Sequence, residues 1–348
     1  MKIIVTGGAG FIGSAVVRRL VNDGHQVLNL DNLTYAGNLK SVAEVTGMSN
    51  YRYARADICS GRAVSHAINE FQPDAIMHLA AESHVDRSIQ GPLVFVQTNV
   101  VGTAVLLEAA YEYWVELSDE QKRNFRFIHV STDEVFGDLG TDGGQFTEDS
   151  PYRPSSPYAA SKAASDHFAR AWNRTFGLPV INTNCSNNIG PFQYPEKLVP
   201  SAIRTALAGD AIQIFGDGTN IRDWLYVDDH VSGLVLTLEK GQPGQSYNFG
   251  GVSECSNSDL VDLLCSHLDA LRPRTDGKSY REQVKFIDDR LGHDLRYSID
   301  SSRARKELGW SPIDTLATSV EKTLSWYLEN PEWLEFSDSY GSRVGMPY

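Results

Sequence analysis

Apolar and polar positions along the chain fall into two rhythms that take turns. Short β-rich runs occupy residues 2–6, 25–30, 51–56, 74–79, 125–130 and 178–184. Between them lie stretches whose apolar residues recur three and four apart, such as Val16, Val17, Leu20 and Val21 within 14–22, or the pattern over 63–71. The first rhythm predicts strands and the second predicts helices with one buried face. Strands that alternate with helices need right-handed crossovers, which predicts an α/β fold built on a doubly wound parallel sheet. Residues 92–115 carry one long helical pattern, and the charged stretch 116–124 reads as a surface connection. After Gly177 the rhythm becomes irregular, with strands predicted over 211–215, 224–227 and 246–249 and helices starting near Lys197, Asp228 and Ser256. This predicts a smaller α+β lobe over 181–330, interleaved with the end of the sheet formed by 1–180, and a tail over 331–348.

The ends of the predicted strands carry the candidate chemistry. The first strand runs into Gly7-Gly8-Ala9-Gly10-Phe11-Ile12-Gly13 and then a helix. Gly7, Gly10 and Gly13 give the tight turn, the close approach of backbone to a pyrophosphate and the close helix packing of a Rossmann-type dinucleotide site. The second strand ends in Asp31, about 20 residues beyond the turn, where a carboxylate binds both ribose hydroxyls of an adenosine. Asn32 follows rather than Arg, and a carboxylate repels a 2′-phosphate, so NAD is expected rather than NADP. Asp57 and Ile58 are placed beside the adenine, and Leu79, Ala80 and Ala81 are small enough to let a cofactor lie across the strand ends.

The strand over 125–130 leads into Ser131-Thr132-Asp133-Glu134. Ligands of doubly wound sheets sit outside the carboxyl ends of strands, so these two carboxylates are a candidate acid and base. Residues 138–152 read as a loop and a candidate lid. Ser156 and Pro157 then suit the cap and first position of a helix. Tyr158 and Lys162 share a face near its start. An ammonium beside a phenol at a helix N-terminus is expected to lower the phenol's pKa and make Tyr158 a base. In the second lobe, Lys197, Arg222, Arg290 and His293 are candidates to grip a diphosphate.

Composition narrows the classes. The chain has 348 residues, 41% hydrophobic and 22% charged, enough apolar material for a core and not the composition of a disordered chain. A formal net charge of −13 argues against a partner that is a nucleic acid or an anionic membrane. The four cysteines, Cys59, Cys185, Cys255 and Cys265, show no metal spacing and are expected to be reduced, buried thiols. The N-terminal apolar run is too short for a signal peptide and no run of about 18 apolar residues is evident, so a cytoplasmic location is expected.

Thr6-Gly7-Gly8-Ala9-Gly10-Phe11-Ile12-Gly13, Tyr158-x-x-x-Lys162 and Arg222-Asp223-Trp224 together resemble the extended short-chain dehydrogenase/reductases that act on nucleotide sugars. Ala81 to Ser88, Ser131 to Val135, Pro195-Glu196-Lys197-Leu198 and Gly292-His293-Asp294 resemble the dTDP-glucose 4,6-dehydratase family in particular, over residues 1 to about 330. Related 4-epimerases carry small residues at the Asp-Glu pair. The resemblance implies that Tyr158, held by Lys162, takes the C4 hydroxyl proton of dTDP-glucose beside Thr132, that Glu134 takes the C5 proton, and that Asp133 protonates the leaving C6 hydroxyl. It further implies cofactor contacts at Thr98 and Asn188, sugar contacts at Ser83, and nucleotide contacts at Asn187, Lys197, Leu198, Phe215, Arg222, Asn257, Arg290 and His293. A homodimer through the helices over 92–115 and 157–176, paired as a four-helix bundle, is also implied. The chain departs from the family at Ile189, Gln213, Phe215 and Leu291. Gln213 and Phe215 border the expected base, which keeps UDP-glucose open as a substrate. A 4-epimerase, which needs only Tyr158, Lys162 and NAD, is also compatible with these motifs, as is a non-catalytic NAD-binding protein.

Overall fold

A computed structural model describes residues 1–335 apart from 142 and 252. Its strands are β1 (Lys2–Thr6), β2 (Gln26–Asp31), β3 (Tyr51–Arg55), β4 (Ala75–His78), β5 (Arg126–Thr132), β6 (Val180–Cys185), β7 (Asn187–Ile189), β8 (Ile212–Phe215), β9 (Ile221–Tyr226), β10 (Ser246–Phe249), β11 (Glu254–Ser256) and β12 (Val284–Ile287). Seven of them form one sheet in the order β3-β2-β1-β4-β5-β6-β10, with every neighbouring pair parallel. Chain order reverses between β1 and β4, and the crevice that opens at such a switch point is where these sheets take ligands.

Alternation along the strands fills a layer on each side. Ile3 and Val5 pack into one core with Val16, Val17 and Leu20 of the Phe11–Asn22 helix and Val231 and Leu234 of the Val227–Lys240 helix. Ile4 faces the opposite core, shared with Val64 and Ile68 of the Gly61–Phe71 helix and Leu106 and Leu107 of the Thr103–Val115 helix. A third core, holding Val199, Ile203, Trp224, Leu260, Leu264 and Leu324, builds the smaller lobe around the short sheets β11-β9-β7 and β12-β8.

Several expectations need correction. The stretch 116–124 includes a helix, Asp119–Asn124, closed by a reciprocal cap between Ser118 and Gln121. It buries no side chain, so apolar spacing could not reveal it although the S-x-x-Q cap signature is present. The expected tail over 331–348 begins with a helix, Glu332–Glu335, whose Leu334 is buried in the lobe core; 336–348 lie outside the described residues. Of the cysteines only Cys185 and Cys265 are buried, while Cys59 and Cys255 are half-buried, and all four are free. The Pro92–Val115 helix is, by length and composition, apolar enough to cross a membrane. Its apolar residues serve two sides: Leu106, Leu107, Ala109 and Ala110 fill the core, while Leu93, Val94, Val96 and Val101 are exposed. The loop after Gly137 is fastened along residues 295–300. Leu139 and Phe146 donate to the carbonyls of Arg296 and Ser298, Asp300 donates back to Phe146, and the Asp138 carboxylate accepts from the amides of Leu295 and Arg296.

Candidate active site

The glycine turn forms because β1 ends where side chains no longer fit. Gly7 adopts φ 72°, and a Cβ there would lie 2.6 Å from the Ala80 amide. At Gly13 a Cβ would lie 2.0 Å from the Gly7 carbonyl, so the helix approaches the turn only because both are glycine. Thr6 locks β1 to the end of β4, its hydroxyl accepting the amides of Leu79 and Ala80 at 3.2 Å and bonding His78 Nδ1 at 2.7 Å. Asp31 closes the far side by accepting the amides of Ala9 at 2.9 Å and Leu33 at 2.7 Å. Asn32 donates to Asp57, which also caps the Cys59 amide. A cavity of about 510 Å³ runs from this cradle across the strand ends. Gly7, Gly10, Phe11, Ile12, Gly13, Asp31, Asn32, Asp57, Ile58, Leu79, Ala80, Ala81, Thr98 and Asn188 all line it. Backbone amides at a helix N-terminus fit a pyrophosphate and the Asp31 carboxylate fits ribose hydroxyls, so the residues present suit a dinucleotide.

The same cavity reaches Thr132, Asp133, Glu134, Tyr158 and Lys162. Thr132 is the last residue of β5, and its hydroxyl caps the following turn, Asp133–Phe136, by accepting the Glu134 amide at 3.3 Å. The Asn184 side chain on β6 holds the Thr132 carbonyl at 3.0 Å. Tyr158 and Lys162 project from the Pro157–Ala171 helix, which Ser156 caps by accepting the Ala159 amide, with Pro157 at its first position. Ser88 accepts the Tyr158 amide, Phe95 packs edge-on against its ring, and Lys162 donates its ammonium proton to the Val130 carbonyl at 2.8 Å.

Burial, then the charges of Glu134 and Asp223, push Asp133 well above the usual carboxylate range, and one of its oxygens is buried without a hydrogen-bond partner. Burial raises Glu134 as well, but the cations Lys197, Arg290 and Arg222 pull it back. Two adjacent carboxyls are thus held in unequal surroundings, the arrangement that lets one stay protonated while its neighbour ionises. The expected lowering of Tyr158 is not observed: burial, Glu134, Cys185 and Asp133 push the phenol well above its ordinary value, against a hydrogen bond with Thr132. The helix spacing shows the lysine, but the neighbouring carboxylates come from another strand.

Of the expected substrate residues, Ser83, Asn187 and Lys197 line the cavity; Leu198, Phe215, Arg222, Asn257, Arg290 and His293 do not. Arg222 lies buried over the Tyr297 ring at 4.4 Å and donates to the carbonyls of Ile221 and Asp294, while its charge reaches Asp133 and Glu134. Arg290 sits 3.6 Å from Asp86. His293 contacts Asp289 at 2.6 Å and the edge of Phe215, with ring centroids 6.5 Å apart. Leu198 and Asn257 start the helices Leu198–Ala208 and Asn257–Leu271 without reaching the cavity wall. Sequence reasoning assigned no role to Thr34, Ala36, Gly37, Glu82, Tyr194 and Glu196, which do line it. Only Glu82, within the Ala81 to Ser88 motif, and Glu196, within Pro195-Glu196-Lys197-Leu198, carried a signal.

A parallel sheet with a glycine turn at β1, a Tyr-x-x-x-Lys helix against β5 and a second lobe over the strand ends define an extended short-chain dehydrogenase/reductase. A family model described as GDP-mannose 4,6 dehydratase matches residues 4–323. The chain is 54% identical over 359 residues to the dTDP-glucose 4,6-dehydratase of Shigella flexneri, covering 100% of this chain and 99% of that protein. Its structure is similar to that of DesIV, a dTDP-glucose 4,6-dehydratase from Streptomyces venezuelae with NAD and TYD bound, at a TM-score of 0.87 and 43% identity, covering 96% of this chain and 98% of that one. It is also similar to the UDP-glucose 4-epimerase of Thermotoga maritima, at a TM-score of 0.84 and 28% identity, covering 95% and 100%. The chain belongs to the dTDP-glucose 4,6-dehydratase family.

Proposed function

We propose that the chain converts dTDP-glucose to dTDP-4-keto-6-deoxyglucose with NAD as a resident cofactor. The observation that carries this reading is the pair Asp133 and Glu134, held in unequal surroundings beside Tyr158 and Lys162 in one cavity. A 4-epimerase would have no use for the pair. Gly7, Gly10, Gly13, Asp31 and the ends of β3 and β4 would hold the dinucleotide. Bound there, NAD would supply a reversible hydride acceptor, so that the C4 hydrogen could end at C6, with a proton regained at C5, and the net reaction would be loss of water. Tyr158 takes the proton of the C4 hydroxyl, with Thr132 orienting that hydroxyl; Lys162 and the positive charge of a bound nicotinamide would have to bring down the phenol that burial and the two carboxyls hold up. The C4 ketone acidifies C5, where Glu134 removes the proton. Asp133, kept protonated by burial, delivers a proton to the departing C6 hydroxyl. Lys197, Arg222 and Arg290 would neutralise the diphosphate while steadying the Glu134 carboxylate.

Incubation with equal dTDP-glucose and UDP-glucose, followed by NMR of the products, tests the reading. It predicts a 4-keto-6-deoxy product from the thymidine nucleotide first. Preferential turnover of the uridine nucleotide would shift the assignment to UDP-glucose, for which exposed Gln213 beside Phe215 is the reason. A 4-epimer as the product would reject dehydration. We further propose a cytoplasmic homodimer. Its support is the exposed apolar set Leu93, Val94, Val96 and Val101 on one helix and Phe168 and Phe176 on or just past the next, which a four-helix bundle would cover.

A further inference from the structure

Two segments distant in the chain meet beside the cavity. The first follows β2, and its Thr34, Ala36 and Gly37 line the wall. It is pinned at its base by Asp31 and at its end by the Asn38 amide, which donates to the Ala9 carbonyl at 2.9 Å. The second, residues 190–197, carries Gln193, Tyr194, Glu196 and Lys197 on the same wall. Its beginning is fastened through Phe192, a non-glycine residue at φ 68°. That ring lies under the Arg18 guanidinium at 4.3 Å and against Trp326 and Trp333 at 4.4 and 4.9 Å. Such a left-handed residue persists only where its surroundings over-determine it, and three packed partners do so here.

At the junction, one carboxylate joins both segments. The Tyr35 hydroxyl donates to Glu196 Oε1 at 3.0 Å, and Arg87 Nε stands 3.2 Å from Glu196 Oε2. The Arg87 guanidinium also lies 3.7 Å over the Tyr35 ring, and Tyr194 meets that ring edge-on at 5.5 Å. Next in sequence, Lys197 donates to the Ser83 carbonyl at 2.8 Å. The Glu196 side chain is 14% exposed, so this is not a solvated surface pair of little worth. Tyr35 and Arg87 do not line the cavity and play no part in the proton transfers above.

We propose that Tyr35, Arg87 and Glu196 are positioning residues that clasp the two segments together over the cavity and so retain the dinucleotide between turnovers. The proposal rests on the NAD-dependent cycle described above: a cofactor lost in its reduced state would strand a ketone in the site. Closing the junction requires only that a hydroxyl and a guanidinium share one carboxylate, and opening it would free the edge of the wall formed by Ala36, Gly37 and Tyr194.

Retention can be read without any turnover. Full-length wild type, Tyr35→Phe, Arg87→Lys and Glu196→Gln are loaded with radiolabelled NAD and chased with unlabelled NAD, and each melting temperature is recorded. Tyr35→Phe removes only the hydroxyl, and Arg87→Lys keeps the charge but loses the stacking plane. The expected result is exchange faster by roughly tenfold or more in Tyr35→Phe and Arg87→Lys. Their activity, low without added NAD, should return to within about twofold of wild type at saturating NAD. Exchange in all three variants as slow as in wild type would overturn the proposal. So would a fall in kcat at saturating NAD that tracks the melting temperature, since that marks a merely structural role. Because exchange is measured without sugar, a wild type that fails to dehydrate dTDP-glucose counts against the proposed function alone.

Discussion

Asp133 and Glu134 are neighbours in the chain and nearly alike in chemistry, yet their surroundings pull them apart. Asp133 meets two further carboxylates and has an unpaired buried oxygen, whereas Glu134 meets three cations. A carboxyl whose folded-state pKa is raised contributes stability below the ordinary carboxylate range, and that contribution is lost as pH rises toward the folded value. Asp133→Asn is therefore predicted to lower dehydration by roughly 10²- to 10⁴-fold while still permitting C4 oxidation, which stopped-flow absorbance of the reduced cofactor would show. The same variant should melt roughly 2–4 °C higher than wild type at neutral pH, with the difference vanishing below about pH 4. Calorimetry at the two pH values checks both halves. The residue pair itself was legible from its place at a strand end. Its division of labour followed only from the family resemblance, because Asp223, Arg222, Lys197 and Arg290 arrive from the second lobe, whose approach to β5 no local pattern records.

At the scale of elements, the Pro157–Ala171 helix must hold Tyr158 and Lys162 against β5. Its start was readable from Ser156 and Pro157, and the structure places both as the pattern requires. Its anchor was not readable. Asp166, on the same helix, is wholly buried and accepts from His129 of β5 at 3.0 Å and from the Tyr152 hydroxyl at 2.8 Å. Burial alone would raise its pKa, but hydrogen bonding from His129 and the charges of His129 and Lys162 bring it below the ordinary value. A depressed carboxyl stabilises the fold above its unfolded pKa, and the gain is lost as pH falls through the folded one. Asp166→Ala leaves the buried His129 ring and the Tyr152 hydroxyl without their acceptor and should cost about 1–3 kcal/mol at neutral pH, measured by urea unfolding, with a smaller cost in acid. Loss of the Ser156 cap in Ser156→Ala should cost only about 1 kcal/mol. Similarly, strand 246–249 was found but not its position: four residues with no turn chemistry of their own do not reveal that they close the main sheet beside β6.

For the whole molecule, the sheet and its crossovers followed from alternating rhythm, since a doubly wound order leaves few ways to connect such a chain. The lobe was harder, because its short strands β7, β8, β9, β11 and β12 pair by tertiary contact rather than by repeating unit. The apolar outer side of the Pro92–Val115 helix, missed in the sequence, becomes intelligible if a second copy covers it. Light scattering is predicted to give a dimer for wild type and a monomer for Leu93→Asp combined with Val96→Asp, and a monomeric wild type would remove that reading.

On the proposed cycle, the C4 hydrogen of the sugar leaves and comes back at C6 within one site. dTDP-glucose carrying deuterium at C4 tests it most directly. NMR of the product is expected to find the deuterium in the C6 methyl group, with a solvent proton at C5. Deuterium retained at C4 of an epimerised sugar, or lost to water from a dehydrated one, would contradict it.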